Sequence, residues 1–171
     1  MTGASGDGPV HREATREGDA TREGASGAVV GGIDPRGPRF GAAITAVLLA
    51  AVVLLGTSSA AFVLLGVVVA HFVLGVARGA QGTLQGLVFQ RVVRPRLGPP
   101  AYREDPRPPR FAQGVGLAVT AAGLLAGLLG WPVAVPVAAG IAFVAAFLNA
   151  AFGLCLGCEM YLLLARIRSR G

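Results

Sequence analysis

Residues 41–77 and 111–158 carry no charged side chain, and both stretches are dense in Ala, Val, Leu, Gly and Phe. An apolar helix needs ~20 residues to cross about 30 Å of hydrocarbon, so each stretch is long enough for two crossings and a turn. Short polar or helix-breaking sequences mark the turns, Gly56-Thr57-Ser58-Ser59 in the first and Gly130-Trp131-Pro132 in the second. The pattern predicts four spans at about 40–56, 60–77, 112–129 and 133–153, the last either ending there or running on past Cys155 and Cys158. Helices are expected because a backbone in lipid must satisfy its own amides, and the polar alternation of a barrel strand is absent.

The loop at 78–111 has its own pattern. In "TLQGLVFQRVVRPR" the residues Leu84, Leu87, Val88 and Val92 fall near helical spacing, which predicts a short helix in the membrane interface or a frayed extension of the second span. Pro95, Pro99, Pro100, Pro106, Pro108 and Pro109 then impose an extended link.

One motif occurs twice. "DPRGPRF" at 34–40 returns as "DPRPPRF" at 105–111, with six of seven residues identical, and each copy precedes an apolar hairpin. Two copies of a two-span unit, both starting on one side, make a parallel repeat whose axis runs along the membrane normal. The expected fold is therefore all-α: an integral membrane four-helix bundle made of two parallel-repeat transmembrane hairpins, spanning residues 33–168.

Charge orients this bundle. All fifteen basic residues are Arg. Arg36 and Arg39 precede the first span, seven more Arg lie between 78 and 110, and Arg166, Arg168 and Arg170 close the chain, whereas neither short turn is charged. The positive-inside rule then puts both termini and the central loop on the cytoplasmic side. The net charge of +6 reflects this topology, and no aromatic residues interleave with the Arg as a nucleic-acid surface requires. Composition agrees with the pattern: 14% of residues are charged and 53% hydrophobic, against about 25% charged in a soluble domain. Residues 1–32 differ, with three Arg against five acids and few apolar residues, and read as a disordered tail rather than a secretory signal.

The chemistry-bearing residues are few. Asp34, Arg36 and Arg39, repeated as Asp105, Arg107 and Arg110, either cap the helices and anchor lipid phosphates or build an anion site around the axis. His71 and Asn149 are polar groups inside spans, suited to an interhelical hydrogen bond or to a proton or substrate contact. Cys155 and Cys158 are the only cysteines. In a continuous helix they would share a face one turn apart. A break at Gly153 or Gly157 would instead leave Cys155 at a helix start, where free amides favour a thiolate, with Glu159 opposing. Three roles stay open: small packing residues, thiol–disulfide or persulfide chemistry, and metal binding. Two Cys do not complete a zinc site, so the last role needs Glu159 and a further ligand or a second copy. No Ser/His/Asp constellation, phosphate-binding loop or cofactor motif is present.

The two Asp-Pro-Arg sequences, "RPRLGPP", "RFAQ" and the terminal "NAAFGLCLGC" run occur together. In this the chain resembles, over about residues 33–165, the bacterial membrane proteins collected as domain of unknown function 4395. The resemblance implies a four-span inner-membrane protein with a cysteine pair, here Cys155 and Cys158. It points to thioredoxin-like or sulfur-transfer partners. The alternative is a small transport or scaffold subunit whose cysteines only pack; four short spans also leave room for association into oligomers.

Overall fold

A computed structural model of the chain describes residues 32–100 and 102–169. The expected tail, residues 1–32, lies outside the described residues apart from Gly32. Among the described residues there are six α-helices and no strand. We label them α1 (Arg36–Leu55), α2 (Ser59–Arg78), α3 (Leu84–Val88), α4 (Arg107–Leu128), α5 (Ala134–Phe152) and α6 (Leu156–Arg168). Four of them, α1, α2, α4 and α5, are long and apolar enough to cross a membrane.

Each span begins and ends where its local chemistry requires. Asp34 accepts the Arg36 amide at 3.0 Å, and Asp105 accepts the Arg107 amide at 2.8 Å, so each motif satisfies a free N–H at the start of α1 or α4. Proline is tolerated there because first-turn amides have no helical partner. Ser58 caps α2 by accepting the Ala61 amide at 3.3 Å. The central loop helix is separate from the second span: Thr83 caps α3, accepting the Gly86 amide at 3.1 Å, and a π-helical turn at Phe89–Val93 and a 3-10 turn at Arg94–Arg96 carry the chain toward the prolines.

The four spans pack in the cyclic order α1, α2, α4, α5, with α1 against α5 and α2 against α4 joining the two hairpins. Neighbours are antiparallel, so the starts of α1 and α4 and the ends of α2 and α5 share one end of the bundle. Leu49, Val52, Leu65, Val68, Val135 and Ala139 form the core. Gly123 lets α4 approach α5 closely: a Cβ there would collide with that of Ala138 and lie 3.0 Å from the Ala134 carbonyl oxygen. Small residues at such contacts are what holds helices together in lipid, where burial of apolar surface supplies no driving force. Only 17–28% of each span's apolar window is buried, and Val47, Leu54 and Val63 project outward. That uncovered apolar surface faces lipid; the protein is a multi-pass membrane protein.

At the arginine-bearing end the two halves touch through their motifs. Ile33 and Glu104 form an isolated antiparallel bridge. At the end of each motif, Phe40 packs on Phe89 with ring centroids 5.8 Å apart, and Phe111 packs on Tyr161 at 5.7 Å. The segment after α2 and the segment after α5 thus fold back alike onto the span that opens their own half.

Candidate functional site

The fourth span does not run through the cysteines. Gly153 takes the left-handed conformation (φ 70°, ψ 15°), its amide donates to Asn149 O at 3.0 Å, and the Leu154 amide returns to Leu148 O at 3.2 Å. Glycine adopts this conformation without the clash a Cβ would bring. A new helix, α6, then starts with Cys155 as its N-cap residue in extended conformation (φ −88°, ψ 96°). Gly157 sets the position of α6 by close approach: a Cβ there would sit 2.6 Å from Ala112 Cα in the second turn of α4.

This break gives the two thiols different environments. Both are free and half-buried. The Cys158 thiol, and to a lesser degree the nearby backbone amides of Cys158 and Gly157, favour the charged form of Cys155; together they outweigh burial and the Glu104 carboxylate and lower its pKa to about 7. Its ordinary value is 9.0. Cys158 moves the other way: its thiol proton is held by Cys155, and burial, the Cys155 negative charge and the Glu104 and Glu159 carboxylates all push its pKa up. One sulfur is thus prepared as a thiolate and the other kept as a thiol. Glu159 in the first turn of α6 stands where a carboxylate suits the helix dipole.

Glu104 is a residue that sequence reasoning missed. It stands immediately before the second motif, and its link to the cysteines is made only by folding, as α4 packs against α6. Arg39 packs its guanidinium on Gly153, with a distance of 3.1 Å from the guanidinium carbon to where a Cβ would stand. Its counterpart Arg110 donates to Val76 O at 2.6 Å and Ala77 O at 3.1 Å, at the end of α2. Both arginines therefore lie over the C-terminal end of a neighbouring span, where free carbonyls attract a cation.

The remaining candidates are dispersed. Arg36 pairs with Asp34 through Nε to Oδ1 at 3.1 Å and NH2 to Oδ2 at 3.2 Å, and also donates to Gly98 O at 2.9 Å. Burial works to raise the Asp34 carboxyl, but hydrogen bonds from the Arg36 side chain and amide and the charges of Arg36 and Arg94 bring it below its usual value. At the second motif Asp105 accepts only the backbone amide of Arg107 among the described residues. His71 and Asn149 are half-buried on α2 and α5, which lie across the bundle from each other, and no hydrogen bond joins them. Among the described residues no group of three His, Cys, Asp or Glu side chains could hold a metal ion.

Neither a curated protein nor a solved structure matches the chain. The four spans, the two motif-led hairpins and the cysteine turn all fall within residues 33–166, which match the model of one protein family. The chain belongs to that family, described as the domain of unknown function DUF4395.

Proposed function

We propose that this protein exchanges electrons between thiols at the arginine-rich, cytoplasmic end of a bundle in the bacterial inner membrane. Cys155 is the attacking thiolate and Cys158 the resolving thiol. The observation that carries this is the break at Gly153 that makes Cys155 the N-cap residue of α6, with Cys158 in the first turn and the acidities of the two thiols pushed apart. A packing pair has no use for a broken helix that sets its two thiols in unequal environments.

The exchange proceeds in two displacements. The Cys155 thiolate attacks a partner's disulfide, forming a mixed disulfide and releasing one partner sulfur as a thiolate that takes a proton from solvent. Cys158 then loses its proton and attacks the Cys155 sulfur. The partner leaves as a dithiol, and a Cys155–Cys158 disulfide remains. Two electrons have passed to the partner, and the reverse sequence returns them. In a reducing compartment the resting form is the dithiol. A partner with an exposed disulfide or persulfide, thioredoxin-like or sulfur-transferring, fits this chemistry.

We also infer that the hairpins are two parallel copies about an axis along the membrane normal. Ile33 and Glu104, which bridge, are separated by the same 71 residues as Asp34 and Asp105. Equivalent residues pairing with each other is what a two-fold axis between them requires.

Removing the resolving thiol tests the exchange. Cys158→Ser in vesicles, mixed with an oxidised thioredoxin-type protein, should accumulate a mixed disulfide that reductant dissolves, and Cys155→Ser should form none. If neither variant is trapped, and glutathione disulfide leaves the wild-type pair reduced, the cysteines only pack.

A further inference from the structure

The first half of the bundle holds a cavity of about 270 Å³, at the arginine-bearing end and away from the cysteines. The turn at Asp34–Pro38 forms one wall, the segment carrying Gln81, Gln90 and Arg94 the second, and Arg103 on the central link closes the third. We propose that this cavity binds a phosphate-type oxyanion, carried on an anionic lipid headgroup or free in solution.

Charge is the first argument. Asp34 is the one acid in the lining, and both its oxygens are taken by Arg36. The Asp34–Arg36 contact is also the only ion pair among the described residues; Arg94 lies within the electrostatic reach of Asp34, but neither Arg94 nor Arg103 makes a salt bridge. Two guanidinium groups offer paired N–H donors that match phosphate oxygens. Gln81 and Gln90 add amide donors without further like-charge repulsion, and Gln90 is held in place by donating to Gln81 O at 3.2 Å.

The second argument comes from the other half. The segments after α2 and α5 correspond through their caps and aromatic contacts: Thr83 and Cys155 are the N-cap residues of α3 and α6, and Phe89 and Tyr161 pack on Phe40 and Phe111, an offset of 72. That offset carries Gln81 to Gly153, Gln90 to Leu162 and Arg94 to Arg166. Neither glutamine therefore has a polar counterpart in the second half, where the groove beside Tyr161 is lined by Arg107, Arg110 and apolar residues. The shared aromatic contact does not need the two glutamines. The first half keeps that contact and adds amide donors beside Arg94, as a ligand site would. This inference uses neither cysteine and stands apart from the thiol exchange.

Two measurements test it, each on the full chain. In the first, the protein is released from membranes of equal phosphatidylcholine and phosphatidylglycerol, and retained lipid is counted by native mass spectrometry. In the second, thermal unfolding is followed in phosphatidylcholine vesicles with inorganic phosphate against chloride at matched ionic strength. The variant Gln81→Leu, Gln90→Leu, Arg94→Ala strips the donors from one wall, and Arg103→Ala removes a donor from the link without touching a helix. Either should weaken the preferred anion by about tenfold, while Arg168→Ala at the far end of α6 should not. Preference in the lipid arm alone identifies a headgroup, and in the phosphate arm alone a soluble ion. No preference in either arm, preference surviving in both cavity variants, or an equal loss in Arg168→Ala overturns the proposal.

Discussion

Ile33 and Glu104 exchange both their backbone hydrogen bonds, Ile33 donating to Glu104 O at 2.8 Å and Glu104 donating to Ile33 O at 3.0 Å. The chain thereby ties the starts of its two hairpins to each other. In such a pair the Cα atoms stand about 5.5 Å apart, within the range that a disulfide spans. Ile33→Cys with Glu104→Cys, in a chain lacking Cys155 and Cys158, should close a disulfide on mild oxidation. Loss of both maleimide mass tags would register it. A control pair at opposite ends, Ile33→Cys with Leu55→Cys, should stay open.

The Cys155 thiol should show its environment in a pH profile. With a pKa of about 7 it is half thiolate at neutral pH, whereas an ordinary thiol is only a few per cent ionised or less, roughly. Alkylation of Cys155 in Cys158→Ser should rise through pH 7 and level off while the denatured chain is still climbing. Cys158→Ala removes the largest cause of the shift, and its inflection should move upward. Because the folded pKa is the lower one, the associated stabilisation is present above the ordinary thiol value and is lost as pH falls through 7. Melting temperature measured against pH checks that sign.

Gly153→Ala places a Cβ in the left-handed region and against the Arg39 guanidinium. The backbone cost is roughly 1–2 kcal/mol. Relief of that strain should loosen the turn, so Cys155 should alkylate more slowly at pH 7 and the variant should melt lower. Gly140→Ala meets nothing within 4 Å and should stay within about 0.5 kcal/mol of the wild type.

Gly123→Leu forces α4 away from Ala138 on α5. Overpacking of this kind costs about 1–3 kcal/mol. Unfolding in increasing mole fractions of dodecyl sulfate should show it. A substitution of equal size at Gly66, which faces open space, should be tolerated.

Arg110→Gln removes the cation that closes the Val76 and Ala77 carbonyls at the end of α2. About 1 kcal/mol should be lost. Arg107→Gln should cost less, because Asp105 binds its backbone amide rather than its side chain.

Much of the architecture was legible in the sequence because lipid imposes rules that act residue by residue. Two charge-free stretches long enough for two crossings each, broken at Gly56 and Gly130, specify four helices whatever their neighbours do. The Asp-Pro-Arg motifs identify helix starts through local capping, a contact over two residues. The cysteine turn was legible only as an alternative, since Gly153 in an apolar run is compatible with a continuous helix or a stop.

The sequence alone determined the helices, their approximate limits and the family, because hydropathy, caps and motif spacing are properties of contiguous residues. Folding decided everything that depends on distant partners. It placed Glu104 near sulfurs 51 and 54 residues away, set Arg39 over Gly153, and opened a cavity between Asp34, Gln90 and Arg103. It also ended α5 at Gly153, because Gly157 on α6 fits against Ala112 and the aromatic pair Phe111–Tyr161 holds that contact. A thiol's acidity follows from which amides and charges surround it in space, and that arrangement exists only once the two halves have packed.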